Sequence, residues 1–349
     1  MLARELRTPR ERTLFVMAAV ISSAVWLGLL ISIVGILTGL IVGALAIVVH
    51  RLFMAHVIGN GVRVGPRQLP DLMRRIETAS HKLGLDRVPE TYVLQAGGLL
   101  SAFAAKVSSR RFVIISSDLL EASDGPAADP AGSGRANELD FVIGHELGHL
   151  AAGHLGRRFF LLPARLVPLL GAAYSRACQY TADRCGHIVS GDLAVSSRAL
   201  AILAAGPRAA RRIDLDAFID QRRETGRFWM AVYELNASHP FLSKRVAALR
   251  AWEGQGTVER IRRNPLAYLL APFLGFTAGG APSAILIAAV VMGLAAALGV
   301  PRVRQQIGLD AGSSTQHGFR YEPDHAERID PDRGDPDRAA PLPPADRGP

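Results

Sequence analysis

The sequence predicts an α+β fold, a mainly helical domain carrying a small sheet, with transmembrane helices at both ends. Three observations predict it. Apolar residues are concentrated in two blocks near the ends of the chain, short β-rich runs fall between residues 91 and 116, and helical periodicity dominates from Glu138 to Trp252. The 349 residues are 49% hydrophobic and 20% charged, with a mean hydropathy of +0.19. That composition excludes a wholly disordered chain, which needs low hydrophobicity, and an ordinary soluble protein throughout. Two cysteines, Cys178 and Cys185, exclude a disulfide framework and a Cys-rich metal motif.

Residues 1–13 form a basic N-terminus with Arg4, Arg7, Arg10 and Arg12 against Glu5 and Glu11. From Leu14 to Val49 no residue is charged. One spanning helix needs about 20 residues, so this run predicts two spans over 14–57, folded as a hairpin near Gly35. A cleaved signal peptide would have an apolar stretch of only about 7–15 residues. The Ala44-Leu45-Ala46 tripeptide also lies too deep in the run, so the hairpin is read as retained. Arg51, Arg63 and Arg67 follow it, which makes both flanks basic and places both ends in the cytoplasm. The net charge of +9 suits nucleic acid or an anionic lipid surface, and the basic flanks of an apolar block favour lipid. The expected partners are therefore the bilayer and, from the motifs below, a peptide substrate, with no nucleic acid. Nothing in the pattern sets an oligomeric state.

Residues 58–263 have the character of a soluble domain. Pro70–Lys82 reads as an amphipathic helix with Leu72, Ile76 and Ala79 on one face. Thr91–Leu94 and Arg111–Ser116 read as short strands, with a polar break at Ser108-Ser109. Ser123–Ala136, rich in Gly, Pro, Ala and Asp, reads as a linker. A second apolar block occupies 264–300. Its Ala281–Val300 part is free of charge and spans easily, while Pro272, Gly275, Gly279 and Gly280 make the first part a poorer span or a re-entrant segment. Residues 301–349 read as a disordered tail.

The sharpest local signal is His145-Glu146-Leu147-Gly148-His149. Four residues apart on a helix, His145 and His149 share one face and can ligate a single zinc ion. Glu146, about 100° round the helix, can serve as general base toward water. Phe141, Val142 and Leu150 make the helix apolar, as a buried active-site helix requires. Gly148 costs about 1 kcal/mol relative to alanine in a helix, which points to close packing or room for substrate. Downstream, Gln179 and Asp183 are four apart on one face of another helical stretch. His154 falls off the ligand face and reads as a supporting or structural histidine. Cys178 reads as a small packed residue.

With Ser175-Arg176-Ala177-Cys178-Gln179-Tyr180-Thr181-Ala182-Asp183 and the later His239-Pro240 segment, the HELGH motif resembles the M48 family of integral-membrane zinc peptidases, HtpX-like and CAAX-protease-like. The resemblance runs from about Leu99 to Arg250. It implies a zincin-like metallopeptidase domain at the cytoplasmic side of a multi-pass cell-membrane protein, with one zinc ion per chain. His145 and His149 match the zinc histidines, Glu146 the catalytic glutamate, and Asp183 the aspartate that supports the ligands. His239, with Arg245 closing its element, matches the histidine that stabilises the oxyanion. Ser101, Ala102, Phe103 and Ala104 match an edge-strand motif to which substrate adds as a β-strand.

Two positions depart from the pattern. The third zinc ligand, glutamate in the family, is Gln179 here, and the edge-strand asparagine is Ser101. Gln179 is a neutral, weaker ligand in an active enzyme, or Asp183 or His187 completes the site, or the protein is a degraded pseudo-peptidase with a binding or regulatory role. Only 29 residues separate His149 from Gln179, too few for the membrane hairpin that HtpX-like members carry there. Arg260, Arg262 and Arg263 precede the second apolar block and read as contacts to lipid headgroups. Stoichiometric zinc in the purified protein is the expected result, and its absence would leave the pseudo-peptidase. Gln179→Glu should tighten zinc binding, and an unchanged affinity in a metal titration would remove Gln179 from the ligands.

Overall fold

The computed structural model describes residues 5–95, 97, 101–107, 110–123, 137–257, 259 and 261–274. Residues 275–300 of the expected C-terminal membrane segment, the tail, most of the 123–136 linker and the Ser108-Ser109 break lie outside the described residues.

Helices α1 (Pro9–Ile31) and α2 (Ile33–Asn60) pack against each other as a hairpin. The corner is Ser32, whose extended backbone ends α1 and whose Oγ accepts from the Gly35 N–H at 3.3 Å. A side chain at Gly35 would run into the Leu29 carbonyl. The turn thus falls at Ser32, three residues before Gly35. Both helices are long and apolar enough to cross a membrane and carry no polar stripe, leaving Leu27, Leu30, Leu40 and Ile41 exposed. Helix α1 starts earlier than the apolar run, because Thr8 caps it and Pro9 sits at its first turn.

A four-stranded mixed sheet follows, in the order β1 (Val62–Arg63), β2 (Glu90–Leu94), β4 (Arg110–Ser116) and β3 (Ala102–Val107). Strands β2 and β4 run parallel, and β3 pairs antiparallel with β4 as one edge. Both faces of β4 are covered, which is why Phe112–Ile115 is a continuous apolar run. Alternation sends Phe112 and Ile114, with Tyr92, onto Met54 and Val57 of α2. It sends Val113 and Ile115 onto helix α3 (Pro70–Lys82) and helix α5 (Glu138–Ala151). Helix α3 buries Leu72, Ile76 and Ala79, as its period requires. Helix α4 (Ser117–Ser123) continues directly from β4.

The remaining chain is helical: α6 (Leu162–Leu166), α7 (Leu170–Ser190), α8 (Leu193–Ala210, kinked at Gly206), α9 (Leu215–Asp220), α10 (Phe228–Asn236), α11 (Leu242–Trp252) and α12 (Pro265–Leu270). The apolar stretch 161–170 is a short helix laid along α1, where Trp26 stacks on Phe159 at 5.5 Å and donates to the Phe160 carbonyl. Arg263 is not a free lipid-facing cation. It reaches the buried Glu234 carboxylate at 2.9 Å, beside Lys244.

Helices α5 and α7 make the closest approach. A Cβ on Gly148 would lie 2.6 Å from the Cys185 Cβ, and one on Gly144 2.6 Å from the Val189 Cβ. Close packing therefore explains Gly148. Gly148→Ala should destabilise the protein by about 1–3 kcal/mol despite alanine's better helix propensity. A thermal midpoint in detergent equal to or above wild type would show that the two helices separate freely.

Candidate metal centre

Helix α5 begins on a reciprocal cap. Asn137 accepts from the Asp140 N–H and Asp140 accepts from the Asn137 N–H, each at 3.2 Å. Arg75 of α3 clamps the same aspartate at 2.9 Å. From that fixed start, His145 and His149 stack on one face with ring centroids 5.0 Å apart. The face is turned to α7, where Gln179 and Asp183 are one turn apart.

His145 Nδ1 lies 2.9 Å from Asp183 Oδ1. The carboxylate can only accept, so the proton belongs on Nδ1 and Nε2 is left as a bare lone pair. That lone pair faces Gln179 Oε1 at 3.1 Å, while the Gln179 amide nitrogen lies 3.4 Å from His149 Nε2. Two acceptors meeting without a proton between them are what a cation resolves. Ligands around a tetrahedral zinc at about 2.0–2.1 Å stand roughly 3.3–3.4 Å apart. The donors present therefore fit zinc in type, and His145 Nε2 with Gln179 Oε1 fit it roughly in spacing, with His145, His149 and Gln179 as the residues that could hold it. His187 does not reach them: its Nδ1 bonds Ser196 Oγ at 2.9 Å and its Nε2 pairs with Glu253 at 3.0 Å. Asp183 faces His145 and Arg245.

The charges around the donors are balanced. Burial would raise Asp183, but Arg245, bonding both its oxygens, holds it down to about 2. Burial, and then the charges of His145 and His154, push His149 well below the usual histidine range, which favours the neutral ring a metal needs. Burial raises Glu146, partly offset by His145 and by the Ala104 N–H.

That N–H is the contact sequence reasoning did not foresee. Ala104 donates to Glu146 Oε2 at 2.9 Å, away from β4, so this backbone position belongs to the free edge of β3. The strand starts at Ala102, and Ser101 precedes it, donating its N–H to Ser116 Oγ. Phe103 turns to the opposite face and meets Phe53 of α2 at 5.8 Å between ring centroids. His239 is exposed at the start of the segment leading to Arg245, with Ser238 Oγ 2.9 Å from its Nδ1. Partial desolvation of its ring, and then the charge of Arg245, lower its pKa.

A second cluster, also unforeseen in part, joins Glu11, His154 and Cys178, all buried, with donor atoms within 4.8 Å of one another. His154, expected as a supporting or structural histidine, has its Nδ1 2.9 Å from His149 Nδ1. Glu11 had been read as one charge in a basic flank, and no local pattern marks it.

The side chains that α5 and α7 bring together are of types that can hold a metal ion. The model of Peptidase family M48 matches residues 66–167 and 158–253, more than half of the chain, which therefore belongs to that family of metal-dependent peptidases. The chain is also similar to the plastoglobule-localized metallopeptidase 48, chloroplastic, of Arabidopsis thaliana, 27% identical over 224 residues. The match covers 58% of this chain and 61% of that protein, so the chain spans about three-fifths of the relative's length. No solved structure matches.

Asp183 gives the fold a pH dependence. Its folded pKa is lowered, so its stabilisation is full above the ordinary aspartate range near 3.8 and is lost as pH falls from there through about 2. Asp183→Asn should flatten the loss of stability in that window, and an unchanged acid-unfolding curve would contradict it.

Proposed function

We propose that the protein is a membrane-embedded, zinc-dependent endopeptidase whose catalytic domain faces the cytoplasm. The observation that carries this reading is the position of Glu146. Its carboxylate sits one residue from a candidate ligand and is held by the Ala104 N–H at the free strand edge. General base, metal donors and substrate edge thus meet in one place.

When bound, zinc supplies a Lewis acid that polarises the scissile carbonyl and makes water a stronger acid. The chain's own residues do the rest. A substrate segment adds as a strand beside Ser101–Ala104, where backbone groups hold it without regard to its side chains. Glu146 takes the proton from the attacking water and passes it to the leaving amine. A neutral His239, accepting from Ser238 on Nδ1, keeps its Nε2–H as a donor for the oxyanion. Asp183 and Arg245 hold His145 in the tautomer that offers Nε2 to the metal.

Two observations support membrane embedding with both hairpin ends on one side. The start of α1 docks on the metal centre through Glu11, and the end of α2 docks on the sheet through Met54 and Val57. The apolar corner at Ser32 is then free to project into a bilayer. The neutral amide of Gln179 favours a second reading, a pseudo-peptidase that binds without cutting.

Glu146→Gln should keep the fold and the zinc content while lowering peptide cleavage by at least about 10²-fold. Cleavage of casein by that variant at the wild-type rate would refute the assignment of Glu146. Zinc-free, inactive wild-type protein would instead select the second reading.

A further inference from the structure

Glu11 has no part in the mechanism above, yet its side chain is only 1% exposed, at the polar start of an otherwise apolar helix. Both oxygens are engaged. Oε1 lies 3.1 Å from His154 Nε2 and 3.4 Å from the Arg7 guanidinium, and Oε2 accepts from the Thr181 hydroxyl. Arg7 also donates to the Ala152 carbonyl, capping the end of the helix that carries His149. On its other side, His154 presents Nδ1 to His149 Nδ1 at 2.9 Å.

The protons along this line have one consistent arrangement. If His149 offers Nε2 to the metal, its proton is on Nδ1 and is donated to His154 Nδ1. His154 must then carry its own proton on Nε2, where the Glu11 carboxylate accepts it. The arrangement repeats on the other ligand, where His145 donates to Asp183 and Arg245 supplies the cation, as Arg7 does for Glu11.

We propose that Glu11 is a positioning residue for the metal centre: through His154 it fixes the ring and tautomer of His149, so the first turn of α1 is a working part of the zinc site. The proposal rests on the reading of His145, His149 and Gln179 as zinc donors. It matters more here than in a site with a carboxylate as third ligand, because a neutral Gln179 leaves more of the affinity to two well-ordered imidazoles. The competing arrangement is a second metal held by Glu11, His154 and Cys178. Glu11 already accepts on both oxygens, and His154 Nε2 cannot both donate to it and ligate a metal.

The test is zinc affinity of the purified full-length protein in detergent, by chelator competition, with the visible spectrum of the cobalt-substituted protein as a second readout. Glu11→Gln and His154→Ala should each weaken zinc by about 10–100-fold and shift the cobalt bands. The double variant should be no weaker than the worse single one, since both break the same line. Ser22→Ala removes a bond between α1 and Ala164 without touching Glu11 and should leave affinity unchanged. If it matches the loss of Glu11→Gln, docking alone is responsible and the proposal falls. Unchanged affinity in Glu11→Gln, or additive losses, overturn it while leaving the zinc reading intact. Metal lost in Cys178→Ala but kept in His149→Ala overturns it in favour of the competing site. Wild-type protein that takes up no zinc removes the zinc reading and the proposal together.

Discussion

The approach of α5 to α7 sets every distance at the metal centre. Glycines at 144 and 148 let the α7 backbone come within reach of α5, and Gly186 does the same from the other side, against Phe141. Larger residues at these positions would push the two helices apart and draw the Gln179 amide away from the imidazoles. Smooth surfaces bring the Gln179 amide to both imidazoles, its oxygen 3.1 Å from His145 and its nitrogen 3.4 Å from His149. The sheet follows from the same constraint. Strand β4 packs on α5 through Val113 and Ile115, and that contact delivers the edge of β3 to Glu146.

Tight packing leaves little room for water, so the charged groups in this region must satisfy one another. Asp183 with Arg245, Glu11 with Arg7 and Thr181, and Glu234 with Lys244 and Arg263 are three such sets, each with a carboxylate no more than 2% exposed. Removing one partner from a buried pair leaves an uncompensated charge, which is more damaging than never having had the pair. The part of the molecule around α5 and α7 is thus held by paired carboxylates as well as by its apolar core, and two of the sets continue into the candidate ligands, Asp183 directly and Glu11 through His154.

Much of this was legible in the sequence. The helix over Pro70–Lys82 was readable because Leu72, Ile76 and Ala79 keep a helical period, and strand β4 because β-branched and aromatic residues run together. His145 and His149 were readable because four-residue spacing on a helix is a geometric statement. Gln179 and Asp183 were readable as one face of a helix, but their roles came only through a resemblance, since the meeting of two helices is not written in either one. Glu11 was illegible for the same reason in stronger form: 143 positions separate it from His154. The Ala104 contact was hidden because a main-chain N–H has no sequence signature. Arg263 misled because a basic residue before an apolar block looks alike whether its head group points to lipid or to a buried Glu234.

The hairpin is tied to the rest of the chain along α1, through Glu11, Ser22 and Trp26, and at the end of α2, through Met54 and Val57. It cannot be treated as a detachable tether. A fragment begun at residue 58 to obtain a water-soluble catalytic unit would lose the cover over Tyr92, Phe112 and Ile114. It would also lose the carboxylate that closes the chain of imidazoles. Such a fragment would present a sticky sheet face and an unsupported histidine, so inactivity in it would report the cut rather than the chemistry.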